Sequence, residues 1–573
     1  MKWRRAVHPP ESDQDTLPLQ EALGLHPLVA GILLRRGCRT VEDAQRFLTP
    51  RLENLHDPFG MKGMEAAVER LARAVMGGEK IVVSGDYDVD GMTSTALMTG
   101  FLRATGADVD FFVPSRFEHG YGLTTNSLEA LCQMHPKVVM TVDNGITAVN
   151  EVAALQARGV DTIITDHHPP RVEGVPPGVV VDPLQPGCDY PFKRISGVGV
   201  AFKLSTALRR RLREQGWWND ARPEPNLKDW LDLVAIGTVA DVVPLRDENR
   251  ILVAHGLAVL NRPDKRPGIA ALLNQAGWRP GPVDTRTIGF CLAPRLNAAG
   301  RMAQGELGVS LLLADDPREA ADLAGRLEGE NNLRRQKGEE MFHLALSQLP
   351  PGQAQEAPAL VVVSDQFHEG IVGITASRLA ERFGKPVFVL AENGKCFKGS
   401  ARCAPGQNLN ALLKDVAELL SDWGGHAQAA GFTLPKENLQ AFRSGVMEAV
   451  VRQRQNGGDL PVMYLDGTLH PRENTPAMLE KLAQQLVSLE PFGEDNGQPS
   501  FLVEQDDVGE PPRPLKERHL KWTLPGGLEM IAWKAAGNLS VTSATRYRVS
   551  LGFNEFRGNK KIQLKVEDHW VEE

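Results

Sequence analysis

Three short Val/Ile runs in the first third of the chain each stop at acidic residues, and this arrangement restricts the fold more than any other feature. IVVS (81–84) runs into GDYDVDG (85–91), VVMTV (138–142) into DNG, and TIIT (162–165) into DHHPP. VDFFV (109–113) ends in Pro114, and VVV (179–181) ends in Asp182-Pro183. Helical patterns separate the runs, at 92–106, near 126–134 and near 147–158. Short apolar strands alternating with helices belong to a parallel sheet covered on both faces. Open sheets of this kind bind ligands at the carboxyl ends of their strands, so the acids are expected to share one edge.

The chain has 573 residues, too many for one core, and two or three domains are expected. Residues 195–345 read as mostly helical, with a long apolar stretch from Trp230 stopping at Asp241. The Leu/Ala/Glu/Arg-rich stretch from Leu307 to about Leu349, with Pro317 early in it, suits a long connecting helix. LPPGQAQEAP (349–358) reads as a hinge. A second α/β unit starts at LVVVS (360–364), and WGGHAQAAGF (423–432) reads as a Gly/Ala-rich turn opening toward another strand. After the linker QNGGDLP (455–461), short alternating strands resemble a small β-barrel. The expected boundaries are an N-terminal helical segment (1–55), a catalytic domain (56–305), a connecting helix (306–350), a second α/β domain (351–456) and a β-barrel (460–573).

Composition narrows the class. Hydrophobic residues make up 42% and charged residues 24%, which excludes disorder as the main theme. No apolar run approaches the roughly 18 residues of a membrane span, and MKWRRAVHPP has no apolar stretch behind its basic residues. None of the six cysteines forms a CxxC pair, so neither a zinc ribbon nor a disulfide framework is expected, and a cytoplasmic location is the default. A formal charge of −8 argues against nucleic-acid binding over the whole surface, though not in a local groove.

Asp86, Asp88 and Asp90 crowd three carboxylates into five residues. Like charges at that spacing repel one another and favour a bound cation. An EF-hand needs Glu at position 12 and a helix in front; here position 12 is Leu97 and a strand precedes. Any one of these acids alone could be a helix cap, but clusters ending three strands of one sheet point to a metal site. Carboxylates with one or two imidazoles and no thiolate suit Mg²⁺ or Mn²⁺, and there are enough of them for two ions. Two such ions serve phosphoryl transfer, so a phosphate ester or anhydride is the expected substrate.

At these residues the chain resembles the DHH phosphoesterase superfamily. Its motifs occur in order as GDYDVDG, VDNG, DHH and Asp241, and GGHAQAAG (424–431) resembles the DHH-associated domain's motif. SRFEHGYG (115–122), APRLNAAGRM (293–302), EGIVGITASRLAE (369–381), the β-rich tail and the length resemble the RecJ family. Many DHH members carry a His four residues before the first acid; here Val82 stands there, and Asp90 is an additional acid. The resemblance implies an α/β fold with a parallel-sheet DHH domain, a helical connector, a second α/β DHH-associated domain and an OB-like β-barrel. It implies a single-strand-specific 5′→3′ DNA exonuclease that releases 5′-mononucleotides with two Mn²⁺ or Mg²⁺ ions. Asp88, Asp143, His167 and Asp241 would surround one ion, with Asp86 and Asp90 serving the other. Asp166 would orient its neighbours, and His168 would contact the scissile phosphate or support the ligands. Arg116, Tyr121, Arg295 and Arg301 would line the DNA path, and Ser400, Arg402, Gly425 and His426 would hold the 5′-terminal phosphate. Recombination and repair, a single-stranded DNA-binding protein, a recombination helicase and a monomeric state are further implications.

Residues 513–565 hold 11 Lys or Arg against three Glu, a net of about +8, with Trp522, Trp533, Tyr547, Phe553 and Phe556 interleaved. That pattern fits a single-strand platform, with some aromatics filling the barrel core instead. A variant ending near residue 458 is expected to keep its chemistry on short oligomers and lose affinity for long ones. The alternatives are an RNA or short-oligonucleotide phosphodiesterase, which would not need the basic barrel, and a catalytically silent binding scaffold.

Overall fold

The computed structural model describes residues 4–9, 11–115, 119–120, 122–171, 174–278, 281–301, 305–404, 406–455, 462–509, 511–536, 544–556 and 559–571. The chain divides into two compact units, one of residues 1–6 with 326–463 and the other of 7–325 with 464–573.

The larger unit contains the expected parallel sheet. Its strands are β1 (Ile81–Ser84), β2 (Val109–Phe112), β3 (Val138–Val142), β4 (Asp161–Thr165) and β5 (Val179–Val181), in the order β2-β1-β3-β4-β5, and every ladder is parallel. Alternation of side chains puts Val82, Val139, Ile164 and Val180 on one face. There they share a core with Leu128 and Leu131 of α2 (Thr125–Gln133) and Val152 and Leu155 of α3 (Val149–Ala157). On the other face lie α1 (Val89–Ala104) and α4 (Gly197–Glu214). α1 is rich in Thr, Ala, Met and Gly and is buried nearly all round, as expected for a central helix. α5 (Leu231–Ala240) packs on both α1 and α6 (Asp247–Leu260). Strand order reverses between β1 and β3, so the crevice at their carboxyl ends is the switch point where such sheets bind ligands.

The connecting segment follows α7 (Ala293–Arg301). It is a short helix, Gly305–Leu313, and then the 31-residue α8 (Pro317–Ser347). Pro317 opens α8 rather than interrupting it, because a first-turn residue needs no N–H partner. Asp316 Oδ1 accepts from Arg318 N at 2.8 Å at that end. The expected hinge contains a helix, Pro351–Glu356.

The smaller unit carries β6 (Leu360–Ser364), α9 (Val372–Phe383), β7 (Val387–Asn393), β8 (Cys396–Arg402), β9 (Asp422–Gly425), β10 (Ala429–Pro435) and α10 (Leu439–Gln455). The sheet order is β9-β10-β8-β7-β6, with β6 and β7 parallel and the rest antiparallel. The Gly/Ala-rich segment is therefore a hairpin, closed by His426 N donating to Ala429 O at 2.7 Å, and Gly424 and Gly425 lie in a strand rather than a turn.

In the C-terminal region the strands are β11 (Gly467–Thr468), β12 (Phe501–Glu504), β13 (Arg513–Leu515), β14 (His519–Thr523), β15 (Glu529–Ala532), β16 (Thr545–Phe556) and β17 (Asn559–Val571). They form one OB-like sheet in the order β11-β12-β16-β17-β15-β14-β13. Trp522 and Tyr547, 1% and 0% exposed, lie edge to face inside its core and are not available to bases. Trp533 is 50% exposed, and Phe553 is partly buried against the core. The linker residues 456–461 lie outside the described residues, as does the side chain of Phe556.

The ends of the chain share a core. Leu19, Val29, Ile32, Leu33 and Ala44 of the N-terminal helices join one cluster with Leu469, Leu482, Phe501, Trp522 and Tyr547. Arg250 of α6 ties this core to the catalytic half. Its guanidinium donates to the carbonyls of Phe47 (2.8 Å), Ser488 (3.3 Å), Leu489 (3.0 Å), Glu490 (2.7 Å) and Pro491 (3.4 Å). It also lies 3.8 Å from the Phe47 ring centroid. Burial pushes its pKa down to about 9, yet five acceptors still hold the charge.

The N-terminal helices and the C-terminal strands thus pack as one core within the larger unit. A chain ending near residue 458 strips the N-terminal helices of their apolar partner, and we expect it to be aggregation-prone rather than active on short oligomers. Arg250→Ala orphans several carbonyls and should cost on the order of 3 kcal/mol, read as a lowered denaturation midpoint. An unchanged midpoint would show that the clamp is dispensable.

Candidate metal centre and phosphate grip

β1 ends at Ser84, and the chain turns into GDYDVDG before α1 begins. Asp88 is the N-cap of α1, its Oδ1 accepting from Gly91 N at 3.0 Å, so the motif places its acids at a helix start. Asp90 lies inside the first turn, fully buried. Its Oδ2 accepts from Gly197 N at 2.7 Å and its Oδ1 from Val198 N at 2.9 Å, at the start of α4. Two backbone donors at a helix N-terminus hold this carboxylate in place.

Asp143 follows β3 with φ of 61°. A non-glycine residue in the left-handed region is strained unless its surroundings hold it. Asn144 supplies part of that hold, its Nδ2 donating to Ser84 O at 3.2 Å and Val142 O at 2.9 Å and so joining the ends of β1 and β3. Gly197 supplies room, since a Cβ there would sit 2.6 Å from Asp143 Oδ1.

Asp166 ends β4 with its oxygens occupied. Oδ1 accepts from His167 N (2.7 Å), His168 N (3.1 Å) and His168 Nδ1 (2.7 Å), and Oδ2 accepts from Ile146 N (2.9 Å). Burial pushes its pKa up, but the His168 hydrogen bond and charge outweigh that and hold it below the ordinary carboxylate range. Such a carboxylate orients its neighbours. Burial pulls the His168 pKa down, yet the bond to Asp166 overrides this and lifts it to about 9.

His167 identifies the centre. Its Nδ1 lies 3.1 Å from Ile195 O, an acceptor only, so Nδ1 carries the proton and Nε2 presents a lone pair. Nε2 faces Asp143 Oδ1 at 3.1 Å, Asp241 Oδ2 at 3.7 Å and Asp90 Oδ2 at 3.9 Å. Burial and the neighbouring His168 charge push its pKa down to about 4, so the ring is neutral. His167 Nε2, Asp143 Oδ1 and Asp86 Oδ1 are all buried without a hydrogen-bond partner. A lone pair aimed at carboxylate oxygens repels them unless a proton or a metal cation lies between.

Three triads have ligand atoms mutually within 4.8 Å: Asp86/Asp88/Asp143, Asp90/His167/Asp241 and Asp143/His167/His168. By proximity Asp90 lies beside His167 and Asp241, and Asp86 beside Asp88. Asp143 and His167 join the groups, so the donors fit two hard cations sharing ligands. Burial, then the neighbouring acids, raise Asp86 and Asp143 well above the ordinary range, Asp241 to about 9 and Asp90 to about 7.

Sequence reasoning assigned no role to Asp182. It is fully buried after β5, accepts from Leu184 N at 2.6 Å, and is raised to about 8 by burial and Asp166. VVVD repeats the strand-then-acid pattern of its neighbours and was the available signal.

Of the DNA-path residues, Arg116 and Tyr121 lie outside the described residues. Arg295 and Arg301 lie on α7, where Arg295 Nη1 donates to Cys291 O at 2.8 Å. Gly300 of α7 meets the acidic motif, since a Cβ there would fall 2.1 Å from Tyr87 O.

The smaller unit brings Ser400 and Arg402 together. Arg402 Nη1 donates to Ser400 Oγ and Ala401 O, both at 2.8 Å. A Cβ on Gly373, in the first turn of α9, would lie 2.9 Å from Arg402 Nη2, so this guanidinium sits at a helix N-terminus. Among the described residues no carboxylate lies within ion-pair distance of Arg402, and burial pulls its pKa down. A partly buried cation with only neutral partners beside a helix N-terminus is suited to an anion. Gly425 (φ 136°) and the exposed His426 lie on the hairpin whose β10 pairs Ala429 with Arg402.

The chain matches the DHH family N-terminal domain over residues 80–238, the DHHA1 domain over 356–452 and the RecJ OB domain over 465–568. It is 37% identical to the single-stranded-DNA-specific exonuclease RecJ of Bacillus subtilis (strain 168), over 100% of this chain and 71% of that protein. The crystal structure of RecJ from Thermus thermophilus in complex with Mn²⁺ superposes with a TM-score of 0.81 at 33% identity, covering 100% of this chain and 80% of that one. The Mg²⁺ complex from the same organism gives 0.76 at 31% identity, covering 100% and 79%.

The raised carboxyl groups set a pH dependence. Between the ordinary carboxylate range near pH ~4 and about 9, where Asp241 titrates, the folded metal-free chain binds more protons than the unfolded chain. Stability without metal therefore falls as pH rises through that window. Metal binding needs deprotonated ligands and releases protons. We expect melting temperatures in EDTA to fall as pH is raised, the gain from Mn²⁺ to widen, and calorimetry in buffers of differing ionisation enthalpy to show proton release near neutral pH. A gap independent of pH, with no proton release, would refute this.

Proposed function

The chain belongs to the RecJ family of the DHH superfamily, and from that premise we propose that the metal centre cuts a DNA strand whose 5′ end is held by the Ser400–Arg402 grip. It is a metal-dependent nuclease that takes Mn²⁺ or Mg²⁺ and hydrolyses phosphodiester bonds in single-stranded DNA. The observation that carries our reading is the convergence of the His167 Nε2 lone pair with Asp143 and Asp86 oxygens that have no partner.

Asp86, Asp88, Asp90, Asp143, His167 and Asp241 hold the ions in this reading. Bound divalent ions supply charge stabilisation on the phosphate and lower the pKa of water. Ile195 O fixes the His167 tautomer, and α4 fixes Asp90. Asp166 orients His168, which we assign to the scissile phosphate as a hydrogen-bond donor. Arg295 and Arg301 line the path of the strand in this reading.

Ser400, Arg402, Gly425 and His426 take the 5′-phosphate. Capture of that terminus gives 5′→3′ polarity, because only a chain with an end can occupy the grip, and 5′-mononucleotides are the product expected of this reading. This role for Arg402 is supported by its partial burial without a carboxylate partner among the described residues. In the cell the same reading implies action in recombination and repair as a monomer, with a single-stranded DNA-binding protein and a recombination helicase as partners.

An oligonucleotide labelled at either end, single- or double-stranded, tests the reading in Mn²⁺, Mg²⁺ or EDTA. Metal-dependent release of mononucleotides from the 5′ end of the single strand is expected. Asp143→Asn removes the charge while tolerating the left-handed backbone, and should lower kcat by about a hundredfold or more. Normal activity in that variant would sink the metal assignment. Arg402→Ala should raise KM for a 5′-phosphorylated strand by about tenfold or more and leave the melting temperature nearly unchanged.

A further inference from the structure

We propose that Phe290 is a base-stacking platform for the DNA strand approaching the metal centre, a proposal that rests on the single-strand nuclease reading above. Phe290 is 75% exposed, the most exposed of the large hydrophobic side chains described. It lies in a π-helical turn, Ile288–Leu292, inserted between the short helix Thr285–Thr287 and α7. π-turns are rare and gather at functional sites. Here Ile288 and Leu292 are buried and anchor the turn, while Phe290 projects into solvent.

The surroundings fit a nucleic-acid strand. A Cβ on Gly289 would meet nothing within 4 Å, so the space beside that residue is open. The Arg286 guanidinium lies 5.8 Å from the Phe290 ring centroid, which puts a cation beside an apolar face. An aromatic face with an adjacent arginine is the usual sequence-tolerant way to hold single-stranded bases.

Position gives the distance from the chemistry. α7 runs from this turn to Gly300, which packs against Tyr87 between Asp86 and Asp88. Ten residues of helix separate Phe290 from Gly300, or about 15 Å. At the ~3.4 Å spacing of a stacked strand that is about four nucleotides, and fewer when the strand is extended. Phe290 would therefore hold a base a few nucleotides 3′ of the bond being cut. It would contribute to affinity and to retention of the strand between cuts without touching the reacting atoms.

The test compares wild type, Phe290→Ala and Phe290→Tyr with Mn²⁺ on a 5′-phosphorylated single-stranded oligonucleotide of about 20 nucleotides, well beyond the roughly four nucleotides between the chemistry and the ring. Phe290→Ala should raise KM about tenfold, equivalent to about 1.4 kcal/mol, with kcat within twofold of wild type, and Phe290→Tyr should restore KM. In the Asp143→Asn background, 2-aminopurine placed at successive positions should be quenched at one site a few nucleotides from the 5′ end, and Phe290→Ala should abolish that quench. Unchanged KM and quenching in Phe290→Ala, while wild type degrades the oligonucleotide, overturns the stacking role alone. So does a loss confined to kcat. If self-association or capture of another protein is all that Phe290→Ala alters, the exposed ring serves a protein contact and the proposal falls. Failure of wild type to degrade the oligonucleotide would instead remove the nuclease reading, and this proposal with it.

Discussion

Mutual repulsion among crowded carboxylates is the constraint around which the larger unit is organised. Asp86, Asp88, Asp90, Asp143 and Asp241 come from three separate segments, and burial raises the cost of every charge placed among the others. The scaffold answers with fixed dipoles and with the cationic His168, whose charge partly offsets Asp86, Asp90 and Asp241. The first turn of α4 holds Asp90, the first turn of α1 holds Asp88, and Ile195 O orients His167 so that its lone pair points inward. The balance is completed by divalent cations. Without them, burial and mutual repulsion push Asp86, Asp90, Asp143 and Asp241 toward the neutral acid.

The smaller unit poses the opposite electrostatic problem. Arg402 is a partly buried cation that donates to a hydroxyl and a carbonyl, beside the N-terminus of α9. One unit is thus short of positive charge and the other short of negative charge. In the reading proposed above, a phosphate diester at the metal centre and a terminal phosphate monoester at Arg402 meet these two needs.

How much of this was legible in the sequence depended on whether the signal was local. Strand runs, strand-end acids and the DHH motif are short-range patterns, and they located β1, β3 and β4 and the residues of the centre. The turn read at GGHAQAAG became a hairpin because its pairing with β8 depends on residues some 30 positions away. Pro317 was placed inside a helix it in fact begins, since the pattern does not show where the first turn lies. Trp522 and Tyr547 could not be assigned to a face until the order of β14 and β16 was known. Arg250 carries no motif at all, because its acceptors are backbone carbonyls about 200 positions before it and 240 after it.

The core shared by the two ends has a consequence for synthesis. The helices near residues 13–48 leave the ribosome long before the strands that cover them are made. Roughly 420 residues separate Leu48 from Leu469, which is about 20 to 80 s of translation. Through that interval Val29, Ile32 and Leu33 have only the other N-terminal helices to pack against. The nascent chain therefore carries uncovered apolar helix faces over most of its elongation, and a ribosome stall before Leu469 would leave them uncovered.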